Sequence, residues 1–101
     1  MKTHELKIWP EYYKAVHAGH KTYEIRDNDR EFAFGDQVIL REWDPTRDFV
    51  DSSCTQLKEP RGYTKSRPLM FWVGYIYRLP NHPKDVPQVV FSLLREDPFG
   101  R

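Results

Sequence analysis

Helical signals are confined to one segment of this sequence, between Pro10 and Gly19. Proline is tolerated at the first position of a helix, and glycine supplies the left-handed conformation that often ends one. Trp9, Tyr12, Tyr13 and Val16 follow helical spacing and predict one apolar stripe along the helix. A doubly wound parallel sheet needs a helix after nearly every strand. The sequence therefore excludes that class.

Strand patterns occupy most of the remaining chain. The five predicted strands are residues 4–8, 21–27, 37–43, 69–79 and 88–96. The fourth is apolar on both faces, which predicts a central strand packed on two sides, with Trp72 in the core. Together they predict a small α+β fold, a curled sheet or partly closed barrel of five or six strands with one or two helices.

A single domain over residues 1–101 is expected, because domains usually need on the order of 100 residues. A long irregular insertion from about 44 to 68 interrupts it. Loops of that length tend to be functional or mobile.

Charge, cysteine content and hydropathy narrow the functional classes. The formal net charge of +1 argues against a protein that coats nucleic acid by bulk charge, although a local basic patch is compatible with it. Cys54 is the only cysteine, which excludes an intramolecular disulfide and a four-cysteine zinc site. No leader pattern opens the chain, and the apolar run near residue 70 is too short for a membrane span. The sequence predicts a soluble, cytoplasmic protein without membrane contact.

The four histidines do not follow a standard zinc spacing, so no metal and no cofactor are predicted. They are His4, His17, His20 and His82.

The second strand carries an unusual polar face. Alternation places Thr22, Glu24 and Arg26 on one face, with Tyr23 and Ile25 on the other, which we expect to pack in the core. Glu24 and Arg26 form either a surface ion pair or one wall of a ligand cleft.

Lys21, just ahead of this face, is open to three interpretations. It is a solvated lysine, a phosphate ligand, or a desolvated base or nucleophile in a cleft.

Cations surround an aromatic residue in the long insertion. Arg61, Tyr63, Lys65 and Arg67 are typical either of a loop that contacts single-stranded RNA or of an ordinary solvated loop. Trp43, at the end of the third strand, belongs either to the core or to the edge of a cleft.

Gly19, Lys21, Glu24 and Arg26 match the G-x-K-x-x-E-x-R pattern of ASCH domains, a branch of the PUA-like β-barrels. The match lies between a helix and a strand and is followed by an F-x-x-G-D turn. The first 45 or so residues resemble a small, mostly phage and bacterial subfamily of unassigned function. The resemblance implies a barrel with a polar cleft at the motif. In the family the opening strand, which carries His4 in this chain, borders the cleft. His4, Thr22 and Arg41 are further candidates for ligand binding.

PUA-like relatives bind RNA or modified bases, so the resemblance implies a module that binds RNA or a nucleoside-type ligand. Some ASCH proteins hydrolyse an acylated cytidine with a lysine, a threonine and a distal glutamate. The alternative is therefore an amidohydrolase on an N4-acylated cytidine with Lys21 and Thr22 as catalytic residues; no glutamate is assigned to the third role. A further alternative is a protein-binding regulator that uses the long insertion.

Overall fold

The computed structural model describes residues 1–28, 30–46, 62–79 and 87–100. Its elements in chain order are β1 (Thr3–Ile8), α1 (Pro10–His17), β2 (Tyr23–Asp27), β3 (Gln37–Glu42), β4 (Leu69–Arg78) and β5 (Gln88–Leu94). The five strands form one sheet in the order β1-β3-β4-β5-β2. This confirms the predicted small α+β fold. Cys54, His82 and most of the 44–68 insertion lie outside the described residues.

Helix α1 begins and ends where the sequence predicts. Pro10 opens it, and Glu11 lies in the first turn, where a carboxylate complements the helix dipole. After the last turn, Gly19 adopts a positive φ of 83°, and the His20 N–H donates to the Ala15 carbonyl at 2.9 Å. Within the described ranges, no helix combines the length and apolar character needed to cross a membrane.

The chain groups into two compact units, which are described separately. Unit 1 comprises Met1–His4, Thr22–Ile39 and Met70–Arg101, and unit 2 comprises Glu5–Lys21 and Leu40–Leu69. The apolar core of unit 1 consists of Phe32, Val38, Phe71, Val73, Val89, Phe91 and Leu93.

The core of unit 2 is smaller and aliphatic. It consists of Leu6, Ile8, Val16 and Leu40. Val16 is the only member of the predicted helical stripe that is fully buried, whereas Trp9 and Tyr12 are exposed and stack on each other with centroids 6.3 Å apart. The predicted apolar stripe is therefore buried at Val16 and exposed at these two rings.

The faces of β2 are reversed relative to the prediction. Glu24 is 3% exposed, whereas Tyr23 and Ile25 are 44% and 51% exposed. The strand pairs antiparallel with β5, and Glu24 lies opposite the fully buried Phe91. Directly opposed residues share a face of the sheet, so pairing with β5 turns Glu24 inward. The prediction that Tyr23 and Ile25 pack inside is wrong for this reason.

Strand β4 lies in the middle of the sheet, as predicted, but packs on one face only. Tyr75 and Tyr77 are exposed, and Trp72 is partly buried rather than in the core. A register shift against β5 separates Val73 from Ile76, and within it the Tyr75 N–H donates to Ser92 Oγ at 2.9 Å. The apolar run in the sequence therefore includes aromatic side chains that are exposed to solvent. The prediction that both faces of this strand are buried is wrong.

Candidate functional site

A hydrogen-bonded pair, His4 and Asp36, lies in the interior of unit 1. His4 Nε2 donates to Asp36 Oδ2 at 2.8 Å, and both side chains are almost completely buried. The His4 ring also contacts Phe32, with ring centroids 4.6 Å apart. The structure thus holds the ring of His4 inside unit 1, and its predicted part in ligand binding stays a prediction.

The Asp36 carboxylate accepts three hydrogen bonds. The Lys2 N–H donates to Oδ1 at 3.0 Å, and the Ala33 N–H donates to Oδ2 at 3.1 Å, beside the bond from His4. Burial alone raises the pKa of Asp36, but the His4 hydrogen bond and the two backbone donors outweigh it and hold the pKa below its ordinary value of 3.8. The carboxylate is therefore ionised at neutral pH and ties β1 to the turn before β3.

We expect Asp36→Asn to lower the free energy of unfolding at neutral pH by about 1–3 kcal/mol, because buried donors lose a charged acceptor. The pKa of Asp36 in the folded protein lies below its ordinary value of 3.8, so the ionised carboxylate stabilises the folded protein at pH values above 3.8. This stabilisation is lost as the pH falls through the pKa of the folded state. The difference between wild type and Asp36→Asn should therefore shrink below about pH 4. Urea unfolding from neutral to strongly acidic pH measures it.

Asp27 offers a matched control for that series, because it is an exposed carboxylate that accepts a hydrogen bond from Gln88 at 3.2 Å. Asp27→Asn should change stability by no more than about 0.5 kcal/mol. A difference between wild type and Asp36→Asn that stays constant with pH would contradict the role given to the Asp36 carboxylate.

Glu24 and Arg26 are joined on the inner face of β2. Arg26 Nε donates to Glu24 Oε2 at 2.9 Å, and Arg26 Nη2 forms an ion pair with the same oxygen, also at 2.9 Å. The Glu24 side chain is 4% exposed and that of Arg26 is 26% exposed. The ion-pair interpretation is correct about the contact, but the pair is not a surface pair, because its carboxylate is buried.

Lys21 and Thr22 are described in different units. In unit 2, Lys21 is partly buried, and its Nζ lies 5.8 Å from the centre of the Tyr12 ring. In unit 1, the exposed Thr22 accepts the Leu93 N–H on its carbonyl at 2.9 Å. Their catalytic and ligand-binding roles stay predictions.

Arg41 and Tyr63, which the sequence assigns to separate groups, lie together in unit 2. The Arg41 guanidinium carbon is 4.0 Å from the centre of the Tyr63 ring. Arg41 Nη1 also donates to Glu5 Oε1 at 3.0 Å. Trp43 forms an isolated antiparallel bridge with Tyr63 and is partly buried. This places a cation and two aromatic rings at the end of β3.

The remaining members of the predicted RNA-contact loop are Arg61, Lys65 and Arg67. Lys65 and Arg67 are exposed, and the Arg67 carbonyl accepts the Tyr13 hydroxyl at 2.7 Å. Arg61 lies outside the described residues. Their contact with RNA stays a prediction.

Glu42 is a buried carboxylate that is absent from the residues predicted from the sequence. Its Oε1 accepts hydrogen bonds from Thr64 Oγ1 at 2.6 Å and from Ser66 Oγ at 2.7 Å. Strand alternation could have revealed it, since Glu42 falls on the same face as the buried Val38 and Leu40. In the part of the chain that the structure describes, no group of three or more His, Cys, Asp or Glu side chains could hold a metal ion.

Comparisons with protein families and with individual proteins each give a match. The profile of a family described as "Domain of unknown function (DUF3850)" matches residues 3–83. The "Uncharacterized 12.9 kDa protein in GpA 3'region" of Escherichia phage P2 is 43% identical to this chain over 42 residues. That alignment covers 42% of this chain and 38% of the phage protein, well under two thirds of its length. Neither description names an activity, and neither mentions ASCH or PUA-like domains. The family profile covers most of the length of this chain, so this chain belongs to the DUF3850 family.

Proposed function

We propose that this protein is an ASCH-like, PUA-like module that binds RNA or a nucleobase-containing ligand through polar residues of the G-x-K-x-x-E-x-R motif. The motif comprises Gly19, Lys21, Glu24 and Arg26. The observation that carries the proposal is the burial of Glu24 beneath a partly exposed Arg26.

Burial of Glu24 runs against simple hydrophobic sorting. Removing a carboxylate from water is costly unless charged and hydrogen-bonding partners compensate for the loss. Tyr23 and Ile25, on the same strand, lie on the exposed face instead. A strand that turns its carboxylate inward and its apolar side chains outward satisfies a requirement other than core formation, and ligand recognition is one such requirement.

Arg26 has the chemistry that a nucleic-acid ligand needs. Its planar guanidinium can donate two parallel hydrogen bonds to a phosphate or to the edge of a base. The hydrogen bond and the ion pair with Glu24 fix the orientation of the guanidinium, which lowers the conformational entropy lost on binding. About a quarter of the side chain is exposed to solvent. Glu24 then acts as a positioning residue, and Arg26 contacts the ligand.

Lys21, which is described in unit 2, belongs to the proposal through the sequence motif alone, as a cation that can bind a phosphate group. A lysine in this role acts as a point charge, whereas the guanidinium of Arg26 donates hydrogen bonds in a fixed, planar arrangement. Replacement of Lys21 by alanine should therefore weaken binding. It should also reduce the slope of the salt dependence by about one for each phosphate that the lysine no longer neutralises.

The test is an NMR titration of the isotope-labelled full chain with cytidine, N4-acetylcytidine and a uridine octamer. We expect Arg26→Lys to weaken binding about tenfold or more, because lysine keeps the positive charge but lacks the planar guanidinium with its two parallel donors. Ile25→Ala, one residue away on the exposed face, should bind like the wild type.

Two results would overturn the proposal. One is wild-type affinity in both Arg26→Lys and Lys21→Ala, and the other is a flat response of the wild type to every ligand. Release of acetate from N4-acetylcytidine, abolished by Lys21→Ala, would replace simple binding by hydrolysis.

A further inference from the structure

Two aromatic rings and two cations form a cluster in unit 2, which we call the stacking site. It consists of Lys7, Arg41, Trp43 and Tyr63. Lys7 Nζ is 4.8 Å from the centre of the Trp43 ring and 5.8 Å from that of Tyr63, while Arg41 lies over Tyr63 at 4.0 Å. The cations are thus interleaved with the rings.

The segment that carries Tyr63 is fixed to the end of β3 by its backbone. The Asp44 N–H donates to the Gly62 carbonyl at 2.7 Å, and the Thr64 N–H donates to the Glu42 carbonyl at 3.2 Å. The buried Glu42 side chain also accepts the Thr64 hydroxyl. These bonds flank Tyr63 on both sides, so its backbone is held in place before a ligand arrives.

Gly62 lets the Trp43 ring lie against the backbone. Its φ is +86°, and a Cβ atom added there would overlap the indole, coming within 2.6 Å of Trp43 Cδ1. Any other residue at this position would be strained and would displace the ring. The position of Trp43 therefore depends on Gly62.

The charges at the stacking site suit a phosphate beside a base. Lys7 is exposed and the Arg41 side chain is about a third exposed, at 34%. Glu5 pairs with Arg41 and is 53% exposed. Aromatic rings beside cations favour a ligand with an aromatic face and a nearby negative charge.

We propose that the stacking site binds an unpaired base of single-stranded nucleic acid together with its flanking phosphate. Bases stack on aromatic side chains and arginine planes, and cations beside them bind the backbone. This inference rests on the proposed function, the binding of nucleic acid. It does not require that the G-x-K-x-x-E-x-R motif takes part in that binding. It favours single strands over duplexes, because paired bases do not expose their faces.

The test measures binding of a fluorescein-labelled uridine octamer by anisotropy, with an octamer duplex, a DNA octamer and uridine monophosphate as competitors. Tyr63→Leu should weaken octamer binding about tenfold, whereas Tyr63→Phe, which keeps the ring, should weaken it much less. Lys7→Gln should weaken binding and reduce the salt slope by about one. Glu5→Gln should strengthen binding, because it removes the negative charge beside Arg41.

Each outcome separates the stacking site from the motif. Octamer binding that is lost in Arg26→Lys but unchanged in Tyr63→Leu and Lys7→Gln would overturn the stacking site and leave the motif. Octamer binding that is lost in Tyr63→Leu and Lys7→Gln but unchanged in Arg26→Lys would support the stacking site and contradict the role proposed for the motif. Equal competition by the duplex would also overturn the proposal, and the absence of wild-type binding would overturn both. Circular dichroism of each variant identifies a loss of folding.

Discussion

Replacement of Glu24 by lysine should destabilise the protein by about 3–5 kcal/mol, a large part of the stability of a small domain. The side chain at this position is almost completely buried, and its carboxylate accepts a hydrogen bond from Arg26 and forms an ion pair with it. Lysine would leave two cations close together in a region with little water. Urea unfolding measures the loss.

Ile25→Lys is the matched control for this prediction. It places the same side chain on the same strand, at a position that is 51% exposed. We expect it to cost less than about 1 kcal/mol. If Ile25→Lys were the more damaging change, the inward face of β2 would be the one with Tyr23 and Ile25, and the basis of the proposed function would be lost.

Phe91→Ala should lower the free energy of unfolding by about 3–5 kcal/mol. The ring is fully buried in unit 1 and contacts Phe32 with centroids 4.9 Å apart. Phe32 in turn contacts the His4 ring, so the cavity would also remove support from the pair of His4 and Asp36. Urea unfolding gives the loss, and NMR signals of the His4 ring report the rearrangement.

Tyr75→Ala removes a similar volume from a neighbouring strand and serves as the control. Tyr75 is 77% exposed, so its truncation should change stability by no more than about 0.5 kcal/mol. Comparable losses from the two substitutions would show that Phe91 does not occupy the centre of a packed core.

These predictions concern the same region of unit 1 that the proposed function uses. Phe91 lies opposite Glu24 in the pairing of β5 with β2. The packed β5 side chains therefore set the position of the Glu24 carboxylate, which in turn orients Arg26. The residues of the proposed binding chemistry thus lie beside the packed core of unit 1.

Local sequence is sufficient to specify which elements form. Pro10 and Gly19 mark a helix because each has a backbone preference that does not depend on the rest of the chain. The five strands follow from local composition and turn residues in the same way. The candidate residues of the motif are likewise visible as a pattern, although their roles are not.

Long-range pairing, in contrast, selects which face of each strand is buried and which residues meet. Alternation defines two faces, but the neighbouring strand determines which of them lies inside, and β5 turns Glu24 inward and Ile25 outward. Arg41 and Tyr63 are 22 positions apart in the sequence, and their contact depends on a backbone bridge between Trp43 and Tyr63. Such pairings are set by tertiary packing, so local preferences do not predict them.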